Sequence, residues 1–123
     1  ILKIIFWIVF AIGFILFINR SFFQILPYEN WRILLDHLIG GFLVTLLFYI
    51  FQLGLFSFLN PKRKIVYDIK WFILASAVTF LGSFYWEGLV QNFKDIGQIT
   101  ADYFGLLCSW IYFLIYRRVQ NAK

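Results

Sequence analysis

Asp36, His37, Glu87 and Asp102 are ionisable side chains set in stretches that are otherwise apolar. An imidazole beside carboxylates can exchange protons, pair as ions, hold a polar headgroup or ligate a metal ion. An isolated charge at mid-membrane depth costs about 2.5–3.5 kcal/mol on insertion scales, so such groups need partners. The amides Gln91 and Gln98 and the cations Arg32 and Lys94 stand near these acids in the chain, and Arg20 is a further counter-ion. The candidate binding set is therefore Asp36, His37, Glu87, Gln91, Gln98, Asp102, Arg32 and Lys94. Four readings are open: a charge-satisfied plug that fixes helix packing, and a site for an anionic or zwitterionic lipid headgroup with Arg32 and Lys94 on phosphate. The third is divalent-metal binding by His37, Glu87 and Asp102, and the fourth is general acid/base catalysis. Diagnostic spacing such as H-E-x-x-H is missing, so no metal or other cofactor is expected and the catalytic residues stay unassigned. No P-loop, G-x-S-x-G or dinucleotide fingerprint occurs.

The chain carrying these groups has 123 residues, 63% of them hydrophobic and only 14% charged, with 17 Phe, 7 Tyr and 5 Trp. A soluble domain has roughly 45–50% apolar and 25% charged residues. Too few charges are available to coat a globule of this size, which excludes a water-soluble fold and makes a bilayer the natural solvent. The net charge is +5, but the basic residues are scattered among apolar runs instead of forming a stripe, so no nucleic-acid partner is expected. The single cysteine, Cys108, allows neither an intrachain disulfide nor a thiolate metal site and reads as packing.

Four segments approach the roughly 20 apolar residues of a membrane crossing: about 1–19, 33–59, 70–93 and 99–116. The expected fold is all-α, a single membrane domain over 1–123 in which four transmembrane helices form a bundle. Asn19-Arg20 closes the first segment, and Pro27-Tyr28-Glu29-Asn30 is a turn-rich entry to the second. Asn60-Pro61-Lys62-Arg63-Lys64 closes the second, because proline cannot extend a helix and three cations will not enter hydrocarbon. Lys94-Asp95-Ile96-Gly97 makes a short hairpin between the last two. Lys3 before an apolar run resembles a signal sequence, but no A-x-A-like site follows, which favours an uncleaved first helix. Lysine and arginine concentrate in the second connection and the C-terminal tail, so the positive-inside bias puts both termini in the cytoplasm and the first and third connections outside. Ser21 to Leu26 is expected along the outer interface, and Trp31, Trp71 and Tyr116 near headgroup level. Asn19-Arg20-Ser21 matches a glycosylation sequon by chance, since it abuts the membrane.

Polar and small residues follow helical spacing on three of these segments. His37, Gly41, Thr45 and Gln52 mark the second; Ala75, Thr79, Ser83, Glu87 and Gln91 the third; Gln98, Asp102, Gly105, Ser109, Tyr112 and Tyr116 the fourth. In lipid, small residues let backbones approach and polar ones bond across helices, so these faces should meet. For Thr45, Thr79, Ser83 and Ser109 the reading is helix packing. Asp36, His37, Glu87 and Asp102 fall within roughly 10 Å of the outward helix ends at about 1.5 Å per residue, at one depth.

Asp36-His37-Leu38-Ile39-Gly40-Gly41, then Glu87-Gly88-Leu89-Val90-Gln91-Asn92-Phe93, a tight loop and Asp102-Tyr103-Phe104-Gly105, together resemble the VanZ-like family of small bacterial membrane proteins. That family typically shows an acid and a histidine at a helix start, an E-x-x-x-Q-x-F-like run ending the next span, and N-x-x-G opening the last. The resemblance covers the latter three helices. Asp102 stands at the usual Asn position, Lys94-Asp95-Ile96-Gly97 replaces a Pro/Gly/Arg loop signature, and Gln98 stands where an acid is common. A sister family shares the acid/His layout. The resemblance implies a bacterial cytoplasmic-membrane protein connected in some members with glycopeptide resistance and envelope lipids, and it carries no established reaction. The expected function is to bind or position an envelope lipid or lipid-linked intermediate at an outward-facing polar cluster, with membrane lipids as partners. An accessory subunit of a larger membrane complex, with other membrane subunits as partners, is the alternative. A membrane hydrolase or transferase using the acid/His set is the second alternative.

Overall fold

A computed structural model describes residues 1–19, 30–94 and 96–122, and among these the chain is all-helical. Helix α1 runs over Leu2–Ile18, α2 over Asn30–Leu59, α3 over Ile69–Ser83 with a π-helical continuation Phe84–Val90, and α4 over Ile96–Asn121. Three helical stretches, Trp31–Leu59, Ile69–Val90 and Ile96–Asn121, are long and apolar enough to cross a membrane. At 17 residues, α1 is a shorter apolar helix.

α2 and α4 run parallel, and α3 lies antiparallel against both, as shown by the pairing of Thr45 with Thr79, Ser83 with Asp102, and His37 with Asp102. The polar faces read from the helical spacing do meet: Thr45, Thr79 and Ser109 are all buried. α2 and α4 touch backbone to backbone. A Cβ built on Gly41 would collide with the Asp102 carbonyl, and one on Gly105 with the Leu38 carbonyl. Only glycine at both positions permits this approach. At the other end of the bundle, aromatic rings fill the space. Phe72, fully buried, stacks on Phe113 at 4.2 Å, and Tyr49 meets both rings edge-on at 5.2 and 5.1 Å. α1 packs on α2 through Phe6 and through Gly13, whose hydrogen faces Leu43 and Ile39. The Tyr112 hydroxyl donates to the Leu2 carbonyl at 2.5 Å and ties α4 to the start of α1.

The helix ends differ from the sequence expectation in informative ways. α2 starts at Asn30, three residues before the apolar run at Ile33. The third apolar run continues to Phe93, but the helix stops at Val90 because Asn92 and Phe93 both take φ 53°, a left-handed conformation that ends the helical ladder. The Phe93 N–H then donates to the Glu87 and Gly88 carbonyls at 3.0 and 3.1 Å. α4 continues past Tyr116 through Arg117 and Arg118, since cations suit the negative end of a helix, and Arg117 Nε donates to the Tyr67 carbonyl at 2.9 Å. Asp68 caps α3, accepting from the Lys70 N–H at 2.8 Å. Cys108 is exposed on the outside of the bundle and not packed within it. The expectations for Arg20, for the interfacial run 21–26, for the sequon and for the turn at 27–29 fall outside the described residues, as does Asp95 of the hairpin.

Candidate functional site

His37 sits one turn before Gly41 on α2, and Asp102 three residues before Gly105 on α4. The glycine-mediated approach of those two helices therefore brings the imidazole and the carboxylate into contact: His37 Nδ1 donates to Asp102 Oδ1 at 2.8 Å. The second Asp102 oxygen accepts from Ser83 Oγ of α3 at 2.5 Å, so one carboxylate joins three helices. Such a charge-assisted bond is short and strong, and the low dielectric of the bundle strengthens it further.

Glu87 reaches the same place from the π-helical segment. A π-turn is rare and recurs at functional sites because the extra residue re-aims a side chain. Here it delivers Glu87, 4% exposed, with Oε1 3.9 Å from His37 Nε2. With the Gln91 amide oriented to satisfy both neighbours, its nitrogen donates to Glu87 Oε2 at 3.0 Å and its oxygen accepts from Trp86 Nε1 at 3.1 Å. Gly88 leaves room for the Phe93 ring, whose edge lies 2.7 Å from where a Cβ would be. The turn that ends α3 thus closes directly over the residue next to Glu87.

These groups line a cavity of about 430 Å³ between α2, α3 and α4. Its polar end holds Asp36, His37, Ser83, Glu87 and Asp102; Val44, Val78 and Trp86 form an apolar wall, and each is more than one-third exposed, so the cavity opens through the flank of the bundle. Among the described residues, no lysine or arginine stands in the wall. Among these lining residues three carboxylates share the space with one imidazole, an excess of acidic groups. Asp36 Oδ1 is buried and has no hydrogen-bond partner among the described residues.

Of the eight candidate residues, Asp36, His37, Glu87 and Asp102 converge on the cavity, and Gln91 holds Glu87 from behind. Arg32, Lys94 and Gln98 are outside its wall. Arg32 is 3% exposed, with its guanidinium carbon 5.9 Å from the Trp31 ring centroid, so it is not available as a phosphate contact in the cavity. Lys94 is exposed on the turn after α3, and Gln98 is half-buried on the first turn of α4. Ser83, expected only to pack, and Trp86 also belong to the site. Ser83 is within reach of the pattern, since it lies one turn from Glu87 on the polar face of α3; Trp86, within the π-helical segment, lies off that polar stripe and carries no such signal. No protein-family model, curated protein or solved structure matches this chain.

Proposed function

We propose that this chain is a four-span protein of a bacterial cytoplasmic membrane, with both termini in the cytoplasm, that binds the polar end of an envelope lipid or lipid-linked intermediate in the cavity at the outer end of α2, α3 and α4. One observation carries the reading: the cavity is amphiphilic, lined by carboxylates and an imidazole together with Val44, Val78 and Trp86, which are exposed on the flank of the bundle. A headgroup can enter such an opening from the bilayer while its chains stay in lipid. The resemblance to VanZ-like proteins, carried by Asp36-His37, Glu87 to Phe93 and Asp102 to Gly105, agrees with an envelope-lipid role. α1, 17 residues and about 25 Å long at 1.5 Å per residue, crosses beside α2 with slight thinning of the bilayer.

A photoactivatable phosphatidylglycerol carrying its diazirine high on the acyl chain tests this in nanodiscs. Cross-links are expected on peptides containing Val44, Val78 or Trp86, with loss of labelling when Gly82→Trp fills the cavity. Labelling spread evenly over the bundle in both proteins would remove the lipid reading, and native mass spectrometry showing a second polypeptide at fixed stoichiometry would favour an accessory subunit. The His37–Asp102 pair favours a second reading, acid–base chemistry on the bound lipid, which would appear as turnover of that lipid lost in Asp102→Asn.

A further inference from the structure

The cavity's charge does not suit a phosphate headgroup by itself, because Asp36, Glu87 and Asp102 face it and no cationic side chain lines it among the described residues. The geometry around His37 supplies what would reconcile them. One ligand atom each from His37, Glu87 and Asp102 lie within 4.8 Å of one another. Neighbouring ligands around a first-row cation at about 2.1 Å stand roughly 3.0–3.4 Å apart, so side-chain adjustments of about 1–2 Å bring the three donors onto one ion. The outer oxygens are already held, Glu87 Oε2 by Gln91 and Asp102 Oδ2 by Ser83, while Oδ1 lies 2.8 Å from His37 Nδ1 and Oε1 3.9 Å from Nε2, so a cation entering among them takes over the His37–Asp102 hydrogen bond and releases its proton to solvent. Ligating carboxylates and histidines are generally oriented by outer partners of this kind. Independently, the buried Asp36 Oδ1 in the same wall has no hydrogen-bond partner among the described residues, a negative charge that a nearby cation would offset.

We infer that His37, Glu87 and Asp102 form a divalent-cation site, of the Zn²⁺ or Mn²⁺ class that one imidazole and two carboxylates suit, whose remaining coordination positions face the cavity and take a phosphate oxygen of the ligand. The phosphate half of this inference rests on the lipid reading above; the metal half does not. Three donors from three helices leave open positions, as in sites that act on or bind a ligand and unlike closed structural sites. The cation neutralises the carboxylates and converts an anion-repelling cavity into an anion-binding one.

Untagged protein in dodecyl maltoside, a detergent without phosphate, is titrated with Zn²⁺ by calorimetry and with Co²⁺ by visible absorption. One equivalent of metal is expected, with Co²⁺ bands of a low-coordinate nitrogen–oxygen site. Glu87→Gln and His37→Ala should weaken binding at least about 100-fold, and Ser83→Ala, which loosens only the outer shell, about 10–100-fold. Asp68→Asn, a carboxylate change at the opposite end of the bundle, should leave it unchanged. Circular dichroism of every variant establishes that the fold persists, and Asp102→Asn serves in place of any that fails. Absence of stoichiometric metal in the parent protein, or equal binding by Glu87→Gln and the parent, overturns the site. Phosphatidylglycerol binding is then measured with and without EDTA. Loss with EDTA supports the bridged headgroup; lipid binding indifferent to EDTA refutes the metal bridge and leaves the lipid reading standing; stoichiometric metal without lipid binding keeps the metal site and removes the lipid reading.

Discussion

Gly41→Ala and Gly105→Ala test the contact on which the site depends. A Cβ at position 105 would stand 2.7 Å from the Phe42 nitrogen and closer still to the Leu38 carbonyl, and a Cβ at 41 would press on the Asp102 carbonyl. All three neighbours are backbone, so no rotamer change relieves the overlap. Heavy atoms reach their attractive optimum at about 3.5–4.0 Å, so α2 and α4 must part by about 1 Å. Overpacking of this kind costs about 1–3 kcal/mol. The same displacement stretches the 2.8 Å His37–Asp102 bond beyond hydrogen-bonding range, and an interhelical polar bond in a membrane bundle contributes about 0.6–1.7 kcal/mol. Each variant should therefore lose about 2–4 kcal/mol, combining the overpacking cost with the lost polar bond. Gly54→Ala is the matched control: nothing lies within 4 Å of its added Cβ, and alanine gains up to about 1 kcal/mol of helix propensity. Reversible unfolding in mixed micelles, followed by circular dichroism against the mole fraction of dodecyl sulfate, gives the comparison. If Gly41→Ala and Gly105→Ala unfold at the same point as Gly54→Ala, α2 and α4 do not meet at this distance and the positioning argument for His37 fails.

The Thr45 and Thr79 hydroxyls bond across α2 and α3 at 2.6 Å; Thr45→Val and Thr79→Val should each destabilise by about 1 kcal/mol, and a double-mutant cycle should give a coupling of similar size, whereas full additivity would contradict the contact. Asn92→Val places a β-branched residue at φ 53° and should cost about 1–2 kcal/mol in the same unfolding assay, while Asn92→Gly stays within about 0.5 kcal/mol of the parent; equal stability of the two would mean that the turn after α3 is not left-handed. Cys108→Ala should leave stability unchanged because the thiol is exposed, and in that background cysteines at Ile96 and Ile65 should label from opposite sides of a sealed vesicle with an impermeant reagent. Labelling of both from one side would overturn the threading of α3 across the membrane.

Much of this architecture is dictated by composition and periodicity. With so few charges and long apolar runs, backbone groups can be satisfied in lipid only by helices, and the i+4 recurrence of Ala75, Thr79, Ser83 and Glu87 defines the face that must turn inward. The four acid and histidine positions were legible for the same reason: an ionisable group in an apolar helix stands out because it needs a partner. Which partner it finds is a different matter, because periodicity fixes a residue's face but not the rotation, depth or separation of helices. Arg32 is one turn from Asp36 and Lys94 is near Glu87 in the chain, yet packing removes both from the cavity, while Ser83 enters through its bond to Asp102. The π-turn that carries Glu87, the left-handed pair Asn92-Phe93 that ends α3, and the gathering of His37, Glu87 and Asp102 from distant parts of the chain share one cause. They arise where three separate segments meet, and local sequence constrains each segment's helix far more tightly than it constrains the contact among them.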